Sequence, residues 1–265
     1  MQLVLGQVRK PIRELRKSLQ DLPSDPPQEE VHDLRTRTRR LEAISIALLA
    51  QDKGHARHIM ASIKPLRKAA GKVRDMDVLK NKVRSLARRH HDEAYERLLA
   101  HLHTEREDSA RDLADKFDSR QGDALRGLKR FSKKVEGRFR HTRPGAGEAH
   151  RLYDELSHWP ALNLENLHAF RIKIKELRYV LQLVDGASQE FETALDRVKT
   201  QIGTWHDWQE LHRIAAEVLD TTKDRSAVAT IAEIEDKKFR SAMRAAQSLR
   251  TRYLLTRSFG ESAEP

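Results

Sequence analysis

The chain of 265 residues contains no cysteine. Disulfides, thiol nucleophiles and metal sites built on thiolates are therefore excluded. Aromatic residues make up only 5% of the sequence, which argues against a site that stacks nucleobases. Apolar runs are also short: none approaches the roughly 18 residues of a membrane span, and the first segment, MQLVLGQVRK, is too briefly apolar for a signal peptide. We therefore expect a soluble cytoplasmic protein.

The sequence also lacks the motifs of several enzyme classes. It contains no Walker-type glycine loop and no nucleophile elbow. The pairs His55/His58 and His101/His103 do not have the spacing of a helical zinc motif. The segment Glu233–Lys237 spells Glu-x-Glu-x-Lys, a signature of triphosphate tunnel enzymes, but it falls in a helical pattern instead of a barrel strand. We predict no catalytic residues, no metal site and no cofactor.

Positive charge and helical periodicity are abundant. The 51 lysines and arginines exceed the 40 acidic residues and give a formal charge of +11, which favours a polyanionic partner. Nearly every segment has apolar residues at helical spacing, and none alternates as a strand does. We predict an all-α protein with one domain over 1–265. Its half-repeats are about 1–141 and 148–258, joined by a proline- and glycine-containing linker at 142–147.

The ends of several helices can also be predicted. We expect breaks at 52–54, at Gly71 and near residue 120, and one helix over about 164–185. The C-terminal tail, SFGESAEP, is predicted to be frayed.

One basic helical pattern occurs twice, as VHDLRTRTRRL from Val31 and as LHAFRIKIKELRY from Leu167. In each copy a histidine is followed by cations three and seven residues later. These residues are His32, Arg35, Arg39 and His168, Arg171, Lys175. A helix turns about 100° per residue, so the members of each trio lie within roughly 60° of one another. Apolar residues fall on the opposite side, and each predicted helix therefore has a core face and a basic face.

A second pair of segments follows in the same order. It reads PLRKAAGKVRDMDVL from Pro65 and RVKTQIGTWHDWQEL from Arg197. When the two are aligned on Gly71 and Gly203, basic and acidic positions coincide. The matched pairs are Arg67 with Lys199, Arg74 with His206, and Asp75 with Asp207. Two motifs repeated in order at nearly one offset predict a duplicated helical bundle.

The basic faces can be interpreted either as solvated surface or as the lining of an anion-binding groove. A single cationic stripe usually belongs to a solvated surface, and a lone helical histidine usually bonds a neighbour. Duplication favours a different interpretation. If the halves pair about a pseudo-twofold axis, the stripes converge on one groove, where close cations repel one another unless an anion is bound.

These segments resemble the CHAD family, the histidine-containing α-helical domains that bind inorganic polyphosphate. The family pattern is His-x-x-Arg-x-x-x-Arg/Lys with an arginine three positions on, followed later by Leu-Gly-x-x-Arg/His-Asp. The match covers about residues 5–255. The resemblance implies two four-helix-bundle halves related by pseudo-twofold symmetry around a basic central groove or pore. It also implies binding of polyphosphate without catalysis.

We therefore expect basic side chains of both halves to bind the polyphosphate. The principal set is His32, Arg35, Arg39, His168, Arg171, Lys175 and Arg178, and the track is extended by Arg67, Arg74, Lys199 and His206. The chain departs from the family pattern at Glu42 and Glu176, where cations are expected, and at Ala70, where leucine is usual. We expect Glu42 either to weaken the first stripe or to form an ion pair within it.

Two other functions stay open at this point. A nucleic-acid backbone binder is compatible with a charge of +11, and weak nucleic-acid binding would accompany it. An enzyme acting on phosphate chains needs a carboxylate metal site, for which Asp75, Asp77 and Asp207 are the candidates. Association with polyphosphate granules is a further open alternative, since the sequence does not predict granule targeting. The sequence does not predict chain-length preference, oligomeric state or protein partners.

Overall fold

A computed structural model describes residues 1–23, 26–49, 53–141, 144–220 and 222–255. Within these ranges the chain forms eight α-helices and no strand, so the predicted all-α class is confirmed. The helices are α1 (Leu5–Asp21), α2 (Gln28–Leu49), α3 (Lys53–His90), α4 (Glu93–His141), α5 (Gly147–Ser157), α6 (Leu167–Leu181), α7 (Gln189–Val218) and α8 (Arg225–Leu249). A π-helical turn, Arg250–Leu254, follows α8.

Two predicted helix junctions were wrong. We expected a break at Gly71, and another near residue 120, but α3 and α4 pass through these positions without interruption. Glycine costs a helix interior about 1 kcal/mol relative to alanine. Around Gly71 the buried residues Ala70 and Val73 pack into the core, and that packing holds the helix together. The predicted break at 52–54 lies partly outside the described residues, as does the linker, and the C-terminal tail lies wholly outside them.

The helix that carries the second basic stripe is shorter than predicted. It was expected over about 164–185, but α6 ends at Leu181. Val184 instead forms an isolated bridge with Leu3, and Gly186 has a φ of 69°, a conformation that favours glycine. The N-terminal segment therefore packs against the end of α6 and stops the helix.

The hydrophobic core has two parts. The larger cluster contains the predicted apolar faces of α2 and α6, whose members Leu34, Leu41, Ile44 and Leu48 and Phe170, Ile174, Leu177 and Leu181 are all buried. The second cluster joins the far end of the α3–α4 hairpin to that of the α7–α8 hairpin, with Tyr95, Leu98, Trp208 and Leu211 at its centre. Helices α3 and α7 run through both clusters and tie them into one body.

The helices fall into two sets that contact each other through counterparts of the repeat. Helices α1 to α4 pack together, as do α5 to α8. Between the sets the larger contacts are those of α2 with α6 and of α3 with α7, and smaller ones join α2 to α5 and α4 to α7. This pairing of counterparts is what a duplication would give, and the pseudo-twofold relation remains an interpretation of the sequence repeat. Across the described ranges, no helix is apolar over a stretch long enough to cross the bilayer.

Candidate functional site

The two basic stripes meet where α2 passes α6. Arg39 of α2 and Lys175 of α6, which the repeat aligns with each other, line the same small pocket. Arg35 lies within electrostatic range of Tyr179 on the other helix. We use the name cation cluster for Arg35, Arg39, Arg74, Arg171 and Lys175, because each of the other four acts electrostatically on Lys175. The predicted convergence of the stripes is therefore present in the fold.

The glycine of the second motif makes room for an arginine in one of the two copies. A Cβ atom built on Gly203 would lie 2.6 Å from Nη2 of Arg171, whereas one built on Gly71 would make an ordinary contact of 3.7 Å with Nε of Arg35. Arg171 crosses α7 at Gly203, where its Nε donates a hydrogen bond of 3.2 Å to the carbonyl oxygen of Lys199. The close approach of this side chain to the helix backbone therefore requires glycine at position 203.

Lys175 has the most strongly perturbed charge in the cluster. Burial lowers its pKa first, and the charges of Arg171, Arg35, Arg39 and Arg74 lower it further, to about 6. A lysine ordinarily titrates near 10.4. Its ammonium is destabilised because it loses water and gains only like-charged neighbours. Near neutral pH Lys175 is therefore mostly uncharged when no anion is bound.

Arg35 and Arg171 are destabilised in the same way. Burial lowers the pKa of each, and nearby arginines act in the same direction. Asp75 partly offsets this for Arg35, and Asp207 does so for Arg171. An arginine cannot lose its proton under ordinary conditions, so both remain charged at a cost in free energy. Within the described part of the chain, neither they nor Lys175 form an ion pair with a carboxylate.

Arg74 is the one cluster member held by acids of both halves. Its Nη1 lies 2.9 Å from Oδ1 of Asp75 and 3.4 Å from Oδ1 of Asp207. Burial alone would lower the pKa of Arg74, but the two carboxylates outweigh burial and leave that pKa raised. These aspartates therefore orient a cation. The bond to Asp207 also ties α3 to α7.

A pair of histidines borders the cluster on the second half. The rings of His168 and His206 lie 4.5 Å apart, centroid to centroid, and Nδ1 of His168 is buried without a hydrogen-bond partner. Burial lowers the pKa of His168, and His206, Arg171 and Lys175 lower it further. The imidazole is therefore neutral at pH 7, and it can still donate one hydrogen bond to an anion.

Two carboxylates each bridge a pair of the predicted cations. Oε2 of Glu42 lies 2.9 Å from Nη1 of Arg39 and 3.2 Å from Nη1 of Arg67. In the other half, Oδ1 of Asp196 lies 2.9 Å from Nε of Arg178 and 2.7 Å from Nζ of Lys199. We call these the two carboxylate bridges. Glu42 thus forms the ion pair that was one of the two expectations for it.

One predicted residue differs from its counterpart. His32 is exposed on α2, whereas His168, which the repeat aligns with it, is half-buried beside His206. Asp196 was not predicted from the sequence, although its position three residues before Lys199 on one helix could have revealed the pair. The other predicted cations all belong to the cluster, to the histidine pair or to a bridge.

The acidic residues considered as metal ligands are occupied by arginines. Asp75 and Asp207 bind Arg74, and Asp77 lies 3.3 Å from Nε of Arg106. No group of three or more histidines, aspartates or glutamates in the described part of the chain is arranged to hold a metal ion. The segment Glu233–Lys237 lies within α8, on a helix as the sequence predicted. Of the histidine pairs, the side chain of His55 lies outside the described residues.

Comparison with known proteins agrees with this architecture. The family model described as CHAD domain matches residues 6–216. A solved structure described as the crystal structure of the CHAD domain from the plant Ricinus communis superposes with a TM-score of 0.68. The two sequences are 16% identical, and the match covers 95% of this chain and 90% of that chain. At this identity the likeness concerns the fold alone. No curated protein matches the chain.

The burial of Lys175 predicts a substitution that stabilises the protein. With a pKa of about 6 in the folded state and about 10.4 in the unfolded state, Lys175 must lose a proton on folding between these values. The cost is largest below pH 6 and disappears as the pH approaches 10.4. Lys175→Met should therefore raise the free energy of unfolding by roughly 1–4 kcal/mol near pH 6, and by much less near pH 10.

Urea denaturation at several pH values measures this difference. The control is Lys173→Met on the same helix, because Lys173 is paired with Glu155 at 3.0 Å and its pKa is raised. An equal gain from both substitutions, or a gain from Lys175→Met that does not depend on pH, would contradict the account of Lys175.

Proposed function

We propose that this chain, which belongs to the CHAD domain family, binds inorganic polyphosphate through its cation cluster and does not cleave it. The single observation that carries this proposal is the convergence of Arg35, Arg171 and Lys175, none of which forms an ion pair with a carboxylate in the described part of the chain. Like charges in a partly buried site are unfavourable unless a counter-charge is bound. A polyanion would supply it.

The chemistry of the cluster suits a chain of phosphates. Polyphosphate carries about one negative charge per unit and has no base, so recognition depends on charge-assisted hydrogen bonds and on release of counterions. The arginine guanidinium can donate two parallel hydrogen bonds to phosphate oxygens, and each well-placed hydrogen bond to a charged group contributes roughly 1.5–3 kcal/mol. Several such bonds in one cluster account for tight binding that weakens in salt.

The proposal of binding without turnover is supported by the acids around the cluster. Cleavage of a phosphate chain would need carboxylates free to hold a metal ion. Asp75, Asp77 and Asp207 each face an arginine instead. A nucleic-acid ligand is less well supported, because the cluster is bordered by Tyr179 and two histidines but presents no set of rings on which successive bases would stack.

Reversing one central charge should abolish most of the binding. We expect Arg171→Glu to lower the affinity for polyphosphate by at least tenfold at moderate salt, since it removes a donor and adds repulsion. Arg126→Glu is the matched control, because Arg126 is an exposed arginine on α4 whose partner is the nearby Asp123 at 2.5 Å. Titration calorimetry measures the affinity, and circular dichroism checks that the helix content is retained.

Three results would count against the proposal. Equal affinity in Arg171→Glu and the wild type would remove α6 from the site. Displacement of polyphosphate by duplex DNA at physiological salt would favour the nucleic-acid function instead. Release of phosphate from polyphosphate in the presence of magnesium, lost on substitution of Asp75 or Asp207, would favour an enzyme.

Binding should also be accompanied by uptake of a proton. Lys175 is mostly neutral above its pKa of about 6, and a bound phosphate chain favours its charged form and raises that pKa. At about pH 8 we expect uptake of up to about one proton per site. Calorimetry in two buffers of different ionisation enthalpy measures it. Lys175→Arg should bind with much less uptake, because arginine is always protonated. Equal uptake in both proteins would contradict this role of Lys175.

The two motif glycines should respond differently to alanine. In Gly203→Ala the new Cβ would lie 2.6 Å from Nη2 of Arg171, so that side chain must move and its bond to Lys199 is lost. We expect about a tenfold loss of affinity for polyphosphate, the value of one hydrogen bond. Gly71→Ala meets Arg35 at 3.7 Å, an ordinary contact, and should bind normally while gaining about 0.5–1 kcal/mol of stability. Equal losses in both variants would refute the explanation.

A further inference from the structure

Among the described residues, the site contains two kinds of cation: those without an ion pair and those already paired with a carboxylate. Arg35, Arg171 and Lys175, the central cations, form no ion pair in the described part of the chain. Arg39 and Arg67, by contrast, share Oε2 of Glu42. Arg67 is nearly buried, and its pKa is lowered by burial and partly restored by Glu42. Glu42 therefore occupies the same positive surface that a phosphate group would need.

The second half has an equivalent arrangement built from a different position. Asp196 lies on α7 and joins Arg178 of α6 to Lys199 one turn along its own helix. The position that the repeat aligns with Glu42 is Arg178, and the position aligned with Asp196 is Lys64. The halves thus place their carboxylate on different helices but reach the same result. In each, one acid bridges two of the cations that the sequence assigned to the polyphosphate track.

We propose that Glu42 and Asp196 are internal competitors for phosphate, which a long polyphosphate chain must displace and a short one need not. This inference rests on the proposed function of the cation cluster. A short chain has only enough phosphate oxygens to satisfy the central cations. A longer chain extends toward Arg39 and Arg67 on one side and toward Arg178 and Lys199 on the other, where it meets a carboxylate of its own charge sign.

The consequence is a preference that depends on chain length. Each carboxylate that leaves its bridge must be rehydrated, and the two cations it held exchange one anionic partner for another. The binding free energy gained from phosphate contacts with the bridged cations is therefore smaller than the number of those contacts suggests. Removing the carboxylate charge leaves the same cations unpaired and available. The protein should then bind long chains more tightly, with little change for a short one.

The test compares two probes, tripolyphosphate and a long-chain polyphosphate, on four proteins. These are the wild type, Glu42→Gln, Asp196→Asn and the control Glu176→Gln. Glu176 lines the same pocket as Glu42 and loses the same charge, but its partner is Lys173, which is outside the predicted track. Physiological salt limits the general field of a removed charge to a Debye length of about 8 Å.

We expect Glu42→Gln and Asp196→Asn each to raise the affinity for the long chain by about three- to tenfold, and that for tripolyphosphate by less than about twofold. Glu176→Gln should leave both affinities within about twofold of the wild type. Glu42→Gln deprives the nearly buried Arg67 of its partner and is the less stable variant. Asp196 has 45% of its side chain exposed, so Asp196→Asn provides the same test in a protein that keeps its fold.

Two different failures can be distinguished. If the wild type binds polyphosphate but Glu42→Gln and Asp196→Asn behave as Glu176→Gln does, the internal competitors are refuted and the proposed function is not. The same holds if tripolyphosphate gains as much as the long chain. If the wild type binds neither probe, the proposed function itself is overturned, and this inference with it.

Discussion

The structure depends on holding like charges together at the crossing of α2 and α6. Three cations meet there, and none of them forms an ion pair with a carboxylate among the described residues. The cost is visible in Lys175, whose pKa falls to about 6 because it is buried among arginines. Neutral lysine is the least costly form of that cluster in the absence of an anion. The arginines have no such alternative, because their pKa values are too high. A bound anion would therefore stabilise the cluster, and the surrounding helices keep the cations in place to receive it.

The two-part core is what keeps the site from relaxing. Helices α3 and α7 pass through both hydrophobic clusters, so neither can move away from the cations without exposing apolar surface at both ends. The contact of Arg74 with Asp207 joins them beside the cluster. Gly203 then allows Arg171 to lie directly across α7, where any larger residue would push it away. The packing of the helices determines where these cations lie, because the cations themselves repel one another.

Much of this arrangement was accessible from the sequence. Helical periodicity predicted the class and the buried faces of α2 and α6, and the repeated trios predicted that Arg35, Arg171 and Lys175 belong together. Local rules failed where tertiary packing overrides them: Gly71 is a weak helix former, yet α3 continues through it. His32 matches the motif and is nevertheless exposed, whereas its counterpart His168 is half-buried. Periodicity gives the face of a residue and not its distance from the crossing.

The two carboxylate bridges show that the two halves of the repeat reach a similar charge balance with residues at different positions. Aligned positions need not carry the same charge, since Glu42 corresponds to Arg178, but each half keeps two bridged cations and one bridging acid. An acid three residues beyond Arg39 on the motif helix and an acid on the neighbouring helix are equivalent solutions, because ion pairing depends on distance in space. The constraint therefore acts on the charge balance of each half. A comparison of aligned residues alone would suggest that Glu42 weakens anion binding by the first half. Each bridge, however, consists of two cations and one carboxylate and therefore has the same net charge.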